Sequence, residues 1–380
     1  MSLPGASPFR HCEELTPHSS LRGSTTLLSL RGGPQGRRSS LYRVSGRLLR
    51  HFVARNDCVS CRLFNDLINK KLVLPFKIFY CTADKRNMRN LSKEKKEIWR
   101  RRRRLNLSKV PECLKQRIVK VDFCSKLEEF EEAFSLLYDR YHEVGLIPTS
   151  KECLFFTPYQ ALPDSRVCIA RSLETGEVTS TATLVIDSEV GLPSDSLYKD
   201  IIDRLRKEGR KPAEFTCLAA KTDIYSRNGL FYIFRILYKY AISKGATDLV
   251  ISVHPKHTTF YELVLLFERV GPLRYYPHLE NAPAYLERLE LTGVQKRYEE
   301  AYRSFWEGQI VIDFFFNIAL PEDTWILTQK YNMKPEVFKH FYLERTNAFQ
   351  KMDNKLAKYL ASIYLDELDY RVNYPLQAVS

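Results

Sequence analysis

The run from Glu214 to Gly271 constrains the fold more than any other part of the chain. Glu214 to Ala220, set between Pro212 and the polar Lys221-Thr222-Asp223, fits a short strand. Leu230, Ile233, Phe234, Leu237, Tyr238 and Ala241 then recur at helical spacing and mark one apolar stripe. Gly245 follows as a helix-ending glycine. Asp248 to Val253 (DLVISV) is a near-continuous apolar run of the kind found in strands covered on both faces. His254-Pro255 breaks it, and a second helix is expected from about Thr258. Strand, helix and strand of these lengths predict two parallel strands joined by a crossover. Sheets of this type hold their ligands at the carboxyl ends of the strands.

The regions around this block read more simply. Residues 1–40 are rich in Ser, Gly, Pro and Arg without an apolar face, which predicts disorder; an organellar transit peptide is the other reading. Residues 41–110 form a basic helical region. Within it, Cys58-x-x-Cys61 is either a zinc or redox half-site or two small buried residues. Arg100 to Arg104, beside Trp99, is either a phosphate-binding surface for nucleic acid or anionic lipid, or a solvated linker helix. Residues 111–293 hold the pattern of a central domain. It begins with an alternating strand at Ile118–Phe123 and a helix opening at Ser125 with Glu128 and Glu129 in its first turn. Val167–Arg171 and Thr179–Asp187 predict a hairpin, with a helix at Leu197–Lys207. Residues 294–380 predict a helical appendage.

Charge sharpens this division. Residues 1–120 carry 28 Lys and Arg against 8 Asp and Glu, while the rest of the chain holds 31 against 37. The net charge of +14 therefore belongs to the first third, and the central domain is mildly acidic. Nine cysteines without a spacing framework, and no secretory segment, predict reduced thiols in the cytoplasm. No apolar run approaches the ~20 residues a spanning helix needs. A membrane partner would therefore be an anionic surface, and nucleic acid is a less favoured partner.

Several segments of the central region resemble the GCN5-related N-acyltransferase superfamily. Phe260-Tyr261 followed by Phe267-Glu268-Arg269-Val270-Gly271 resembles that fold's last helix and strand. His254-Pro255-Lys256-His257-Thr258-Thr259-Phe260-Tyr261 is similar to a signature of the N-acyl amino acid synthases, the FeeM-like cousins of the acyl-homoserine-lactone synthases. Thr181–Ser188, Gly191-Leu192-Pro193, Leu205–Arg210 and Pro212-Ala213-Glu214 resemble the same group. The resemblance spans Ile118 to Leu291. It implies an α/β fold: a mixed, mostly antiparallel central sheet with flanking helices, to which this chain adds helical N- and C-terminal extensions.

The resemblance also implies chemistry. Amide synthesis from an acyl thioester needs a base for the amine, an oxyanion site and a proton for the departing sulfur. In the superfamily a carboxylate near the fourth strand acts as base, and Glu214 is the only acid there; its alternative role is a structural hydrogen bond at the sheet. Tyr261 resembles the tyrosine that protonates the sulfur, with a core aromatic as the alternative. His254 is either base-assisting or loop-fixing, and with His257 it raises a metal reading that lacks a third ligand, so no metal is expected. Amides at Cys217 and Leu218, next to Thr216, are candidates for the oxyanion site. Arg140, Tyr141, His257 and Phe260 would contact substrate. Cys217 as a nucleophile is an alternative that the family's direct transfer disfavours. Arg227, Asn228 and Gly229 stand where a phosphate loop belongs, but with one glycine. That implies a phosphopantetheine donor on acyl carrier protein, no bound cofactor, and a lesser role for acyl coenzyme A. The implied reaction is transfer of a long fatty acyl group to an α-amino acid. The alternatives are an ordinary acetyltransferase using acetyl coenzyme A and a non-catalytic protein binding nucleic acid or lipid through its basic region. The enzyme reading requires Glu214 and Tyr261 to open onto one gap.

Overall fold

The computed structural model describes residues 92–325 and 333–365, all within the unit Lys85–Ser380. The expectations for residues 1–40, for the basic helical region as far as residue 91 and for Cys58-x-x-Cys61 lie outside the described residues. Eight strands form one connected sheet: β1 (Val119–Phe123), β2 (Arg166–Ser172), β3 (Val178–Ile186), β4 (Pro212–Ala220), β5 (Asp248–Val253), β6 (Glu268–Arg269), β7 (Arg274–Tyr276) and β8 (Ala282–Glu290). Their order is β1-β2-β3-β4-β5-β8-β6, with β7 pairing β8. The helices that matter below are α1 (Lys93–Leu107), α2 (Val110–Lys115), α3 (Leu127–Glu143), α4 (Asp195–Lys207), α5 (Ile224–Ser243), α6 (Thr258–Val264), α7 (Val294–Tyr302), α8 (Trp306–Ile312) and α9 (Asn354–Tyr364).

Every strand pairing is antiparallel except β4 with β5, the pair joined by α5. The sheet is thus mixed and mostly antiparallel with flanking helices, the GCN5-related architecture the sequence resembles. Two local features make the β4–α5–β5 unit reproducible from sequence. Gly245 sits at φ 78°, and the amides of Gly245 and Ala246 return to Ile242 and Ala241, a Schellman end that frees the chain to re-enter the sheet. Asp248 then starts β5 fully buried, its carboxylate held by Arg210 at 2.6 Å and by Arg288 at 2.7 Å. Arg210 precedes β4 and Arg288 lies on β8, so one buried charge ties three strands together at one end. At the other end the tie is lacking: β4–β5 pairing stops at Phe215–Ile251, although β4 runs on to Ala220.

Apolar side chains leave the sheet on both faces. The first face is covered by α5 and α6 with α7, α8 and residues 313–317; Phe231, Phe234, Leu237, Leu249, Tyr298 and Phe315 share that core. The second is covered by α3, α4 and residues 333–365, through Phe134, Leu137, Ile202, Phe341 and Tyr364 among others. The C-terminal helices therefore supply part of both cores. Among the described residues, no helix is long and apolar enough to cross a membrane.

The arginine run departs from its expected solvation. Arg101 is 5% exposed, donates to the Leu263 and Ala301 carbonyls at 2.8 and 3.2 Å, and lies over the Tyr302 ring. Arg102 grips Glu307. The helical period explains this. Arg101 and Leu105, four residues apart, form the buried side of α1, and the charged stripe is anchored to α6, α7 and α8 instead of hanging in solvent.

Candidate active site

Where β4 leaves β5, β4 also gains a residue. Thr216 pairs with Thr183 and Ala219 with Thr181, so three steps on β4 match two on β3. This is a β-bulge, and its strain falls on Cys217 at φ 50°, a left-handed conformation for a residue with a Cβ. Cys217 packs with the second-face core and Leu218 against the first. The bulge therefore lies just beyond the point where the parallel strands part.

Glu214 lies one turn of strand before the bulge, on the second face. It is 2% exposed, and Ser194 meets it twice: the backbone N–H donates to Oε2 at 2.8 Å and the hydroxyl to Oε1 at 2.7 Å. Ser194 Oγ is 2.9 Å from Ser252 Oγ, which is 2.8 Å from the Tyr276 hydroxyl. A carboxyl is thus wired through two hydroxyls to a phenol. Burial pushes Glu214 up to about 8, against the pull of the Ser194 bonds. That range suits a general base near neutral pH.

Tyr261 belongs to the first face, packed against Phe234, Phe260 and Phe267. Glu214 and Tyr261 are therefore on opposite faces of the sheet. Tyr141 belongs to α3 and packs with the second-face core. Burial raises its phenol above the ordinary range, neighbouring Cys217 and Tyr261 push the same way, and a backbone hydrogen bond at Leu218 pulls back. Tyr276 acts on Tyr141 too. Tyr261 and Tyr276 thus both act on the Tyr141 phenol, and Tyr276 ends the hydroxyl chain that begins at Glu214.

Other sequence-derived candidates are placed elsewhere. Arg140 points to its neighbour Glu143 in a pair along α3 and does not reach the bulge residues in any described contact. His254 Nδ1 accepts from the Lys256 amide at 3.2 Å, and its ring meets His257 edge-on at 6.2 Å, the loop-fixing arrangement. Burial and Lys256 hold His254 below its usual range, so it is uncharged at neutral pH. Phe260 packs between Phe231 and Tyr261. Burial pushes Cys217 up to about 12; its polar neighbours are Thr216 and Thr157, and no imidazole stands by to make a thiolate. Among the described residues no three His, Cys, Asp or Glu side chains gather as a metal site.

The phosphate-loop assignment needs correcting. The helix begins at Ile224, so Arg227, Asn228 and Gly229 lie inside its first two turns with their amides already engaged or about to be. Asp223 is the N-cap, accepting from the Ser226 amide at 2.8 Å, and puts a carboxylate where an incoming phosphate would sit. Asn228 is buried and donates to the Ser108 carbonyl at 2.8 Å, fastening α5 to the start of α2. A Cβ on Gly229 would meet Ser180 Oγ at 2.8 Å, so this glycine permits close helix–sheet approach. Gly229→Ala is expected to cost about 1–3 kcal/mol in urea denaturation, whereas exposed Arg227→Ala should leave the midpoint within error.

Sheet, bulge and divided strands together give a fold of the GCN5-related kind. Residues 132–290 match the family model of the N-acyl amino acid synthase FeeM, and the protein is an acyltransferase. Among solved structures the chain is similar to "FeeM, an N-acyl amino acid synthase from uncultured soil microbes", at 25% identity over 47% of this chain and 93% of that one, with a TM-score of 0.42. The AHL synthase LasI shares 15% identity over 46% of this chain and 89% of that one, TM-score 0.34. An N-acetyltransferase from Staphylococcus aureus Mu50 shares 10% over 46% and 99%, TM-score 0.32. No curated protein matches.

Proposed function

We propose that the enzyme joins a long fatty acyl group, carried as a thioester on the phosphopantetheine arm of an acyl carrier protein, to the amino group of an α-amino acid. The observation that supports this reading is a buried carboxyl, Glu214, two residues before the bulge on the strand that parts from β5, joined through the hydroxyls of Ser194 and Ser252 to the phenol of Tyr276. In this reading the arm lies between β4 and β5 and the thioester carbonyl faces the amide of Leu218. The amine approaches from the second face and loses a proton to Glu214 through the hydroxyl of Ser194. The tetrahedral oxyanion is held by the bulge amides, and the departing sulfur takes a proton from Tyr261. Asp223 at the start of α5 favours a carrier-protein donor over coenzyme A, whose pyrophosphate would face a carboxylate there. The five free thiols among the described residues suit a reducing cytoplasm.

The acyl chain has an apolar destination on the first face. Phe215, Phe234, Phe267 and Leu289 line a cavity of about 20 Å³, which Phe315 and Phe316 close. At that volume it admits roughly one water, so a chain must displace side chains to enter. Phe316→Ala is expected to shift the product distribution toward longer acyl groups, read by mass spectrometry of the amides formed.

The reading as a whole is tested by extracting lipids from cells expressing the enzyme or Glu214→Gln and searching for new acyl amides. Isothermal titration with coenzyme A and with holo carrier protein separates the donors: binding of the carrier protein alone supports this reading, and tight coenzyme A binding turns it toward an ordinary acetyltransferase.

A further inference from the structure

The side of α1 that faces away from the sheet is left unexplained by the site. Arg101 and Leu105 occupy the inward side, and Glu307 holds Arg102. Lys93, Lys96, Arg100, Arg103 and Leu107 follow one another at intervals of three and four, so they share one outward stripe. Lys93, Arg100 and Arg103 are exposed and make no ion pair among the described residues; Arg103 lies over the Trp99 ring, 5.2 Å from its centre. Leu107, at the end of the stripe, is 64% exposed. Beside that end stands Trp306, the first residue of α8, 59% exposed. The Lys115 ammonium lies 4.2 Å from its ring centre, and the next residue, Glu307, accepts from Arg102 at 3.0 Å and from Asn106 at 3.4 Å. A large indole and a leucine thus stand in water among cations, and nothing in the described residues covers them. The platform is rigid: α1 is fastened to α6 and α7 through Arg101, and its end to α5 through Asn228.

From this geometry we infer that the outward side of α1, with Lys115 and Trp306, docks on an anionic lipid surface. Charge and side-chain type both select that occupant. Lys and Arg reach lipid phosphates with their heads while their stems stay on apolar ground. Trp306 and Leu107 enter the boundary between headgroups and acyl chains, where indole rings are favoured. A nucleic-acid duplex would engage the cations and leave Leu107 and Trp306 in water. Charge also sets the orientation. Residues 121–380 hold 31 Lys and Arg against 37 Asp and Glu, so an anionic surface attracts the α1 side and repels the remainder. The docking does not depend on the acyl-transfer reading, although the long-chain amide of that reaction would itself partition into such a surface.

The test is co-sedimentation of the full chain with vesicles of phosphatidylcholine, either alone or with about 30% phosphatidylglycerol. Wild type is expected to bind the anionic vesicles, to ignore the neutral ones, and to be released by about 0.5 M NaCl. The triple variant Lys93→Gln, Arg100→Gln, Arg103→Gln should bind roughly 30- to 100-fold more weakly, each cation near an anionic surface being worth about fivefold. Trp306→Ala should weaken binding on the order of tenfold and remove much of the blue shift in tryptophan emission that accompanies it. Thermal melts of both variants should match wild type, because the side chains replaced are exposed. Wild-type binding by either variant overturns the assignment, as does equal binding to neutral vesicles. The lipid assignment also falls if wild type stays in the supernatant with anionic vesicles while the triple variant loses affinity for a duplex oligonucleotide or for holo acyl carrier protein; the face then belongs to that partner.

Discussion

Glu214→Gln is expected to lower acyl transfer by roughly 100- to 10,000-fold while the protein remains folded. The size follows from what the side chain is placed to do: it is a buried acid joined through the Ser194 and Ser252 hydroxyls to the Tyr276 phenol. Because its pKa is about 8, kcat/KM for the wild type should climb as pH rises toward 8, as the base form accumulates. The same shift has a stability sign. An acid whose folded pKa lies above the unfolded value binds more protons folded than unfolded, so stability falls as pH rises from about 4.5 to about 8. Glutamine removes that ionisation but turns an amide toward the Ser194 donors, so the net change in stability should stay within ~2 kcal/mol. A pH–rate profile together with urea denaturation at pH 5 and pH 8 measures both. An unchanged profile of acyl amides in cells carrying the variant would remove Glu214 from the mechanism.

Asp323→Ala is expected to destabilise the protein by about 3–5 kcal/mol, the cost of stranding a buried cation. The stranded cation is Arg235 on α5, fully buried, which donates to both Asp323 oxygens at 2.6 and 2.7 Å and to the Phe314 and Ile318 carbonyls. Replacing both members, as Arg235→Met with Asp323→Leu, should recover much of the loss, since no charge is left unpaired. Burial alone would raise Asp323, but its hydrogen bonds to Arg235 and Lys239 prevail and hold it low. Its stabilisation is therefore present above about pH 4 and is lost as pH falls below. Denaturant midpoints at pH 3 and pH 7 should show wild type and Asp323→Ala drawing together at the lower pH.

Much of the β4–α5–β5 core was readable because its signals are local: an apolar stripe, a helix-ending glycine, a strand breaker. Tyr141 comes in through the resemblance, and in the structure it stands on α3 with its ring against Phe155. The start of α5 was misplaced because Asp223 looks like loop polarity and only geometry reveals it as a cap. Arg101 was misjudged for a related reason, since five like charges hide the one that faces inward. Ser194, Ser252 and Tyr276 come from three separate segments, and nothing in a linear sequence brings them together. Glu287, a fully buried carboxyl on β8, is harder still. Between Leu286 and Arg288, on a strand that also carries Glu290, it reads as one more solvent-facing charge. Only the covering of that face by α6 and β6 makes it an interior acid.

The matched segment, 132–290, stops short of the material that seals it. Cut the gene to those bounds and β2 forfeits its neighbour β1, while Phe234 loses the Tyr298–Phe316 roof and Phe134 loses Phe341. Such a fragment would present two greasy sides to water and precipitate, so any minimal soluble version must retain β1 and the later segments that carry Tyr298, Phe316 and Phe341.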